Sequence, residues 1–179
     1  MAPRTPANVL ITGCSSGIGH ATAKLLAERG WKVYATARRP ETLADLKAAG
    51  CKTQALDVND EESMRAAVSI VEAADGAVGA LVNNAGYSQS GAVETIPMDR
   101  LRAQFETNVF GLVRLTQLVL PAMRAQRWGK IVNVGSMGGR VSFPGADASR
   151  PGLHGEPARI GPGSEGGSPA ASDHGLGTW

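Results

Sequence analysis

Short apolar runs alternate with segments of helical periodicity along most of the chain. Val9–Ile11 is an apolar run followed by a glycine loop, and apolar residues then recur at helical spacing until Gly30 supplies a stop. Further strands are predicted at Val33–Thr36, Thr53–Leu56, Ala80–Val82 and Lys130–Val134. Repeated strand-helix units with apolar strands predict an α/β fold, a parallel sheet covered by helices on both faces.

Three further helices are predicted between these strands. Glu41–Ala49 is a short helix, and Asn59 followed three residues later by Glu62 resembles a capping box that opens the next one. The inner face of that second helix is marked by four apolar residues, Met64, Ala67, Val68 and Val71. The third and longest helix covers about residues 99–126.

One polar residue lies in the apolar stripe of the longest helix. The stripe, at helical spacing, consists of Leu101, Phe105, Asn108, Leu112, Leu115 and Val119. A carboxamide that faces the core must be hydrogen-bonded, or it costs about 1 to 3 kcal/mol. Asn108 is therefore either a satisfied structural bridge or a site group that points into a wet pocket.

Glycine and proline concentrate in the last part of the chain, which has 179 residues. Residues 144–179 hold nine of the 23 glycines and five of the ten prolines, with no lysine and no tyrosine. Such a segment cannot bury enough apolar surface to offset its ordering entropy. We expect an organised domain at 1–143 and a disordered tail at 144–179.

Charge and cysteine content exclude several classes of partner. The formal net charge is +2, so no large field of one sign favours a nucleic acid or an anionic membrane. No apolar run approaches the length of a bilayer span, and none precedes Val9. The two cysteines and three histidines lack metal-ligand spacing. We expect a cytoplasmic protein with reduced thiols, no metal and a small-molecule partner.

The loop after the first strand, residues 12–19, reads Thr-Gly-Cys-Ser-Ser-Gly-Ile-Gly. Glycines let a backbone turn tightly and approach a diphosphate, and the N–H groups at the start of the next helix would bind that anion. The alternative is an ordinary glycine-rich turn. With the strand before it and the helix after it, the loop indicates a Rossmann-type doubly wound sheet that binds a dinucleotide.

The end of the second strand indicates which dinucleotide. A dinucleotide fold usually places an acidic residue there on the ribose 2′-hydroxyl, whereas this chain has Ala37, Arg38 and Arg39. Two guanidinium groups suit a 2′-phosphate, which favours NADP over NAD. If both arginines are only solvated loop charges, the choice of cofactor stays open.

Two polar segments follow the fourth and fifth strands. Residues 83–86 read Asn-Asn-Ala-Gly, and Ser136 comes shortly after the fifth strand. Ligands bind at the carboxyl ends of strands in open parallel sheets, so both segments are site candidates. The alternative is that residues 83–86 are a turn rich in Asn and Gly and that Ser136 is a loop serine among glycines.

Together these motifs resemble the short-chain dehydrogenase/reductase family. The resemblance runs through about residues 7 to 145, and the segments 12–19 and 35–40 look most like the retinol- and hydroxysteroid-dehydrogenase-like members. It is carried by Thr-Gly-x-x-x-Gly-x-Gly at 12–19, Asp57-Val58, Asn-Asn-Ala-Gly at 83–86, Asn108 in Phe-Glu-Thr-Asn-Val-Phe-Gly, and Ser136 in Ile-Val-Asn-Val-Gly-Ser.

The resemblance implies a role for each matching residue. Those at the cofactor diphosphate would be Gly13, Ser15, Gly17, Ile18 and Gly19. Arg38 would meet the adenosine ribose phosphate, and Asp57 and Val58 would hold the adenine. Those lining the cofactor and steadying the sheet would be Asn83, Ala85 and Gly86. Ser136 would bind the substrate carbonyl, and Asn108 would anchor a water of a proton relay. Members of the family are usually homo-oligomers.

The chain departs from the family pattern after Ser136. The family's acid/base is a Tyr with a Lys four residues on, but the only tyrosines here are Tyr34 and Tyr87, and Lys130 is the last lysine. The later strands of the family are missing as well, so we expect a fold truncated after about the fifth strand, with an unpaired sheet edge. A reading-frame change in the gene would explain this; a genuine short relative is the alternative.

Three functional interpretations follow. The first is an NADP-dependent oxidoreductase that transfers a hydride between the nicotinamide and a carbonyl or secondary alcohol, either active or inactive in this chain. The second is a non-catalytic NADP-binding module or pseudoenzyme. The third is a truncated or frameshifted product that does not fold stably.

Overall fold

Five parallel strands form one sheet in the order β3-β2-β1-β4-β5. The computed structural model describes residues 8–91 and 93–136, so the predicted tail at 144–179 lies outside the described residues. The strands are β1 (Asn8–Ile11), β2 (Lys32–Ala37), β3 (Lys52–Ala55), β4 (Ala80–Asn83) and β5 (Lys130–Asn133). The chain order reverses between β1 and β4, which is the switch point where doubly wound sheets bind ligands.

Helices connect the strands on both faces of this sheet. They are α1 (Gly17–Glu28), α2 (Ala44–Ala48), α3 (Glu61–Asp75), α4 (Met98–Phe105) and α5 (Leu112–Ala125). Short 3-10 turns cover Pro40–Leu43 and Val93–Thr95, and a π-helical segment, Glu106–Gly111, joins α4 to α5. The sequence predicted each strand and the order of the helices. Within the described ranges no helix is both long and apolar enough to span a bilayer.

Two apolar cores lie on opposite faces of the sheet, as a doubly wound fold requires. In β1, Leu10 packs into one core, while Val9 and Ile11 pack into the other. The first core includes residues of α3 and α5, and the second includes residues of α1 and α2. Each of these three strand side chains is at most 1% exposed. A strand buried on both faces explains the continuous apolar run in the sequence.

The capping box predicted for α3 is wrong by one residue. Asp60 caps the helix, since its Oδ1 accepts hydrogen bonds from the backbone N–H groups of Glu62 (2.9 Å) and Ser63 (3.3 Å). The side chain of Asn59 instead exchanges hydrogen bonds with Thr107. Asn59 and Asp60 both precede α3 and both suit an N-cap position. Only the backbone geometry at the start of the helix selects between them. The predicted inner face is buried.

The apolar stripe of the long helix is only partly as predicted. Leu115 and Val119 are fully buried, but Phe105 is 36% exposed and its neighbour Gln104 is buried instead. Phe105 lines an open groove on the outer face of α4. The π-helical segment adds a residue to the turn, which rotates α4 by about 100° relative to an uninterrupted helix. A constant helical period therefore predicts the wrong face before Asn108.

β5 lies at one edge of the sheet. Its four residues are exposed, and Ile131 and Val132 are 36% and 50% exposed. In the part of the chain that the structure describes, β5 pairs with β4 and with no other strand. The expected unpaired edge is therefore present among the described residues, and it presents free backbone groups for strand pairing.

A charged cluster ties β2 and β3 to the end of α3. The Asp75 carboxylate, 6% exposed, accepts hydrogen bonds from Lys32 Nζ (2.5 Å), the Tyr34 hydroxyl (2.6 Å) and Lys52 Nζ (3.0 Å). These three donors hold the pKa of Asp75 well below its usual range. The cluster lies at the amino ends of the strands, opposite the glycine loop.

We expect this cluster to make folding stability depend on acid pH. The pKa of Asp75 is lower in the folded chain than the value of about 3.9 in an unfolded one, so its contribution is complete above that pH and declines as the pH falls further. Asp75→Asn should flatten the acid limb of stability, measured as urea midpoints from neutral pH to about pH 2.

Glu61→Gln is the matched control for this measurement. Arg114 and Arg65 lower the pKa of Glu61 to about 2, but its side chain is 47% exposed and solvent screens the interaction. The control should change the acid limb less than Asp75→Asn does. An equal or larger change would contradict the role assigned to Asp75.

Candidate functional site

The predicted site residues come together at the carboxyl edge of the sheet. Because β1, β4 and β5 are parallel neighbours, the segments that follow them leave the sheet on the same side. These segments are the glycine loop at 12–19, the segment 84–87 and Ser136. The arrangement centres on the switch point between β1 and β4, where doubly wound sheets bind ligands.

Three glycines make the glycine loop possible. Gly13 and Gly17 have φ angles of +70° and +62°, a backbone region that favours glycine. A Cβ on Gly13 would lie 2.8 Å from the Cα of Ala85. A Cβ on Gly19 would collide with Asn84 Nδ2 and approach Gly13 O to 2.5 Å. The backbone at Gly13 therefore lies against both the segment after β4 and the start of α1.

Thr12 and Asn84 clasp the glycine loop to the segment after β4. Thr12 Oγ1 accepts hydrogen bonds from the backbone N–H groups of Asn84 and Ala85, both at 2.9 Å. Asn84 Nδ2 donates in return to the carbonyl oxygens of Thr12 and Gly13, both at 3.0 Å. Both residues belong to the sequence motifs described above, but those motifs indicated no role for either side chain. A threonine directly after an apolar strand is the sequence signal that could have indicated this clasp.

The amino end of α1 is open to an anion. Its N-cap, Ser16, makes no side-chain capping bond, and no acidic residue lies in the first turn. Ser15 and Gly17 are exposed, and Ile18 is 63% exposed although its side chain is large and apolar. Uncapped N–H groups at a helix start bind phosphate favourably. The geometry therefore fits the diphosphate of a dinucleotide.

The Cys14 side chain turns from this loop into one of the two apolar cores. It is 0% exposed, its N–H donates to the carbonyl of Thr36 (2.8 Å), and burial raises the pKa of its thiol to about 12. A thiol in this state is not nucleophilic at neutral pH. Cys14 packs as a small apolar side chain, as the sequence suggested.

The residues predicted to meet the adenosine lie after β2 and β3. Arg38 and Arg39 directly follow β2 and are exposed, and no carboxylate ends that strand. Asp57 is half-buried, and its Oδ1 accepts a hydrogen bond from the N–H of Asn59 (3.0 Å). Val58 is 8% exposed and packs against the long helix, where a Cβ on Gly111 would collide with Val58 O.

Asn83 joins three elements beneath the site. It is 4% exposed, and its Nδ2 donates to Thr116 Oγ1 on α5 (3.1 Å) and to Asn133 Oδ1 on β5 (3.0 Å). The backbone N–H of Val134 then donates to the carbonyl of Asn83 (2.9 Å). Asn83 therefore bridges β4, β5 and α5 at the carboxyl edge.

The side-chain amide of Asn108 forms two hydrogen bonds with the backbone of Tyr87. Its Nδ2 donates to the carbonyl of Tyr87 (2.7 Å), and its Oδ1 accepts from the N–H of the same residue (3.0 Å). A Cβ on Gly86 would lie 3.0 Å from that Oδ1, so the close approach depends on glycine. Of the two interpretations left open by the sequence, these contacts form the structural bridge, and the bridge lies inside the candidate site.

Ser136 and the two tyrosines are placed very differently. Ser136 is exposed at the carboxyl edge, and Tyr87 is 45% exposed on the segment after β4. Tyr34 is 1% exposed and bonded to Asp75 at the opposite edge of the sheet. Across the described residues, no group of three or more His, Cys, Asp or Glu side chains could hold a metal ion.

Comparison with known sequences identifies relatives. The family profile described as short chain dehydrogenase matches residues 7–148. A 3-ketodihydrosphingosine reductase of Bacteroides thetaiotaomicron is 39% identical over 140 residues, which are 78% of this chain and 50% of that protein. The uncharacterized oxidoreductase YusZ of Bacillus subtilis is 43% identical over 143 residues, 75% of this chain and 50% of that protein. The chain spans about half the length of these relatives.

Solved structures share the same fold. A short-chain dehydrogenase from Streptomyces avermitilis superposes with a TM-score of 0.75 at 44% identity, covering 81% of this chain and 55% of that one. A variant actinorhodin polyketide ketoreductase, solved with NADPH, superposes with a TM-score of 0.75 at 34% identity, covering 83% of this chain and 60% of that one.

Proposed function

Because this chain belongs to the short-chain dehydrogenase family, we propose that it binds NADP for hydride transfer between the nicotinamide and a small-molecule carbonyl or secondary alcohol. The observation that carries the proposal is the glycine loop at the carboxyl edge, next to the two exposed arginines that follow β2. The chain spans about half the length of these relatives. The hydride-transfer activity of a full-length oxidoreductase is therefore proposed for this chain and is not taken over from them.

Binding of the cofactor would begin at the glycine loop. The backbone of Gly13, Ser15, Gly17, Ile18 and Gly19 would approach the diphosphate, because this loop and the uncapped start of α1 present N–H groups and no competing side chain. The exposed side chain of Ile18 would gain an apolar cover from the cofactor.

The adenosine and nicotinamide ends of the cofactor would extend to opposite sides of this loop. On the β3 side, Asp57 and Val58 follow the strand next to β2 and would hold the adenine. On the β5 side, Asn83, Ala85 and Gly86 would line the nicotinamide half of the cofactor, and Asn83 would also keep β4 in register with β5.

Preference for NADP over NAD would come from Arg38, with Arg39 beside it. A guanidinium group donates several hydrogen bonds to a phosphate, whereas a ribose 2′-hydroxyl is usually bound by a carboxylate. The exposed position of both arginines leaves their donors available to a ligand at the carboxyl edge.

The substrate would bind near Ser136. Its hydroxyl lies on the same edge as the glycine loop and would donate a hydrogen bond to the substrate carbonyl. Bound NADP supplies the hydride chemistry at this position. Asn108 would keep the segment 84–87 in place and, as in the family, would take part in a proton relay.

A non-catalytic NADP-binding module is the second candidate function. The specific observation is that Tyr34 is buried at the far edge and Tyr87 is the only other tyrosine in the sequence, so the family's phenol and following lysine have no counterpart after Ser136. General acid catalysis is typically worth about 10²- to 10⁴-fold. Carbonyl-dependent oxidation of NADPH that Ser136→Ala abolishes would distinguish the oxidoreductase from the module.

Cofactor preference provides the direct test of the proposal. Arg38→Asp should weaken NADPH binding about 10- to 100-fold, since hydrogen bonds to a charged group are worth about 1.5 to 3 kcal/mol. Binding of NADH, which lacks the phosphate, should change less than about threefold. Both dissociation constants can be measured by isothermal titration calorimetry.

Arg29→Asp is the matched control for this experiment. Arg29 is an exposed arginine at the end of α1, away from the carboxyl edge, so the same change of charge there should leave both affinities near those of the wild type. Equal losses of NADPH and NADH binding in Arg38→Asp would contradict the 2′-phosphate assignment.

A further inference from the structure

Gln104 is a buried polar residue next to the candidate site. It lies on α4, is 0% exposed, and its Nε2 donates to the carbonyl of Tyr87 (3.3 Å). Its Oε1 is buried and accepts no hydrogen bond from any residue that the structure describes. An orphaned buried acceptor lowers stability, so its presence calls for a functional reason.

The carbonyl that Gln104 contacts is held by a second amide. Asn108, four residues along the same helical segment, donates to the same oxygen at 2.7 Å. The segment 84–87 is therefore held at both ends, by Thr12 on the side of the glycine loop and by the two amides on the side of the long helix. No regular secondary structure supports the segment between these contacts.

The place of this segment in the sheet indicates what it faces. β4 lies between β1 and β5, so 84–87 lies between the glycine loop and the segment that carries Ser136. If the diphosphate binds at the glycine loop and the substrate carbonyl at Ser136, the reacting ring must lie between them. This step rests on the proposed function.

We propose that Gln104 is a positioning residue for the nicotinamide end of the cofactor, acting through the carbonyl of Tyr87. Two donors on one carbonyl fix its direction more tightly than one, and they hold Gly86 and Tyr87 against the space that the ring would occupy. Gln104 itself touches neither cofactor nor substrate. The unpaired Oε1 lowers the stability of the fold, and glutamine is kept at this position because its Nε2 donor is needed.

The test replaces Gln104 by methionine, which has a similar length and no polar donor. Gln104→Met should weaken NADPH binding about five- to tenfold, the effect of one lost hydrogen bond. It should leave the affinity for adenosine 2′,5′-bisphosphate unchanged, because that ligand lacks the nicotinamide half. The fluorescence emission of bound NADPH should shift towards that of the free cofactor. The urea midpoint should not fall, since the variant removes an orphaned acceptor.

Gln54 provides the matched control. Its Oε1 is the other buried side-chain acceptor without a partner among the described residues, and its Nε2 donates to the carbonyl of Ala67, on α3. Gln54→Met removes the same chemical group away from the segment 84–87. It should leave NADPH affinity and the emission spectrum as in the wild type.

The outcomes separate this assignment from the function on which it rests. A Gln104→Met protein that binds NADPH as the wild type does overturns the positioning role and leaves the proposed function intact. Equal weakening of NADPH and adenosine 2′,5′-bisphosphate, or a loss that Gln54→Met reproduces, also overturns it. A wild-type chain that binds neither ligand overturns both. If Gln104→Met does not fold, Gln104→Leu provides the same comparison.

Discussion

Thr12→Val is expected to lower the free energy of unfolding by about 2 to 6 kcal/mol and to abolish NADPH binding. Thr12 is 1% exposed, and its hydroxyl oxygen accepts from two backbone N–H groups, those of Asn84 and Ala85. Valine keeps the shape but removes the acceptor, so both N–H groups lose their partner, at about 1 to 3 kcal/mol each. The segment after β4 would then separate from the glycine loop.

Thr12→Ser is the control for this variant. Serine retains the hydroxyl and loses one methyl group, which should cost about 1 kcal/mol and leave NADPH binding within a few-fold of the wild type. Urea unfolding gives the stabilities, and calorimetric titration gives the affinities. A valine variant as stable as the serine variant would show that the Thr12 clasp does not hold the two segments together.

Gly13→Ala is expected to have the second large effect. At φ +70° an alanine costs about 1 to 2 kcal/mol in backbone strain. Its Cβ would also lie 2.8 Å from the Cα of Ala85, a backbone atom that cannot move aside as a side chain can. Overpacking of this kind adds about 1 to 3 kcal/mol. The backbone would have to move in the loop that is proposed to bind the diphosphate, so NADPH binding should be lost.

Gly30→Ala separates strain from collision. Gly30 has a φ of +81° and open space where a Cβ would lie, and it follows α1 on the side opposite the glycine loop. Backbone strain alone should lower the free energy of unfolding of this variant, by about 1 to 2 kcal/mol. The variant should bind NADPH as the wild type does. If Gly13→Ala is no less stable than Gly30→Ala and binds NADPH equally well, the close contact between Gly13 and Ala85 is not required.

Several residues of the candidate site were predictable because their signal is local. The glycine loop, Arg38 and the segment 83–86 each follow a strand, and the carboxyl ends of parallel strands share one edge of the sheet. The contacts that hold these segments were not predictable. Thr12 and Asn84 are 72 positions apart, and their hydrogen bonds depend on β1 and β4 being neighbours.

The two incorrect predictions concern backbone geometry that the residue pattern does not show. Asn59 and Asp60 both suit an N-cap, and the backbone of the α3 start selects Asp60. The stripe that placed Phe105 in the core assumed one period from end to end, whereas the π-helical segment at 106–111 changes the phase and buries Gln104 instead.

The order of the strands and helices, the glycine loop and the two arginines after β2 could be read from the sequence alone. Periodicity and turn chemistry act over a few residues and can be read along the chain. Three features depend on the folded chain: Asn108 bonds the backbone of Tyr87, Asp75 binds Lys32 and Lys52, and Gln104 is buried. These pairings join residues far apart in sequence, and a polar side chain finds its partner only once the sheet has brought the segments together.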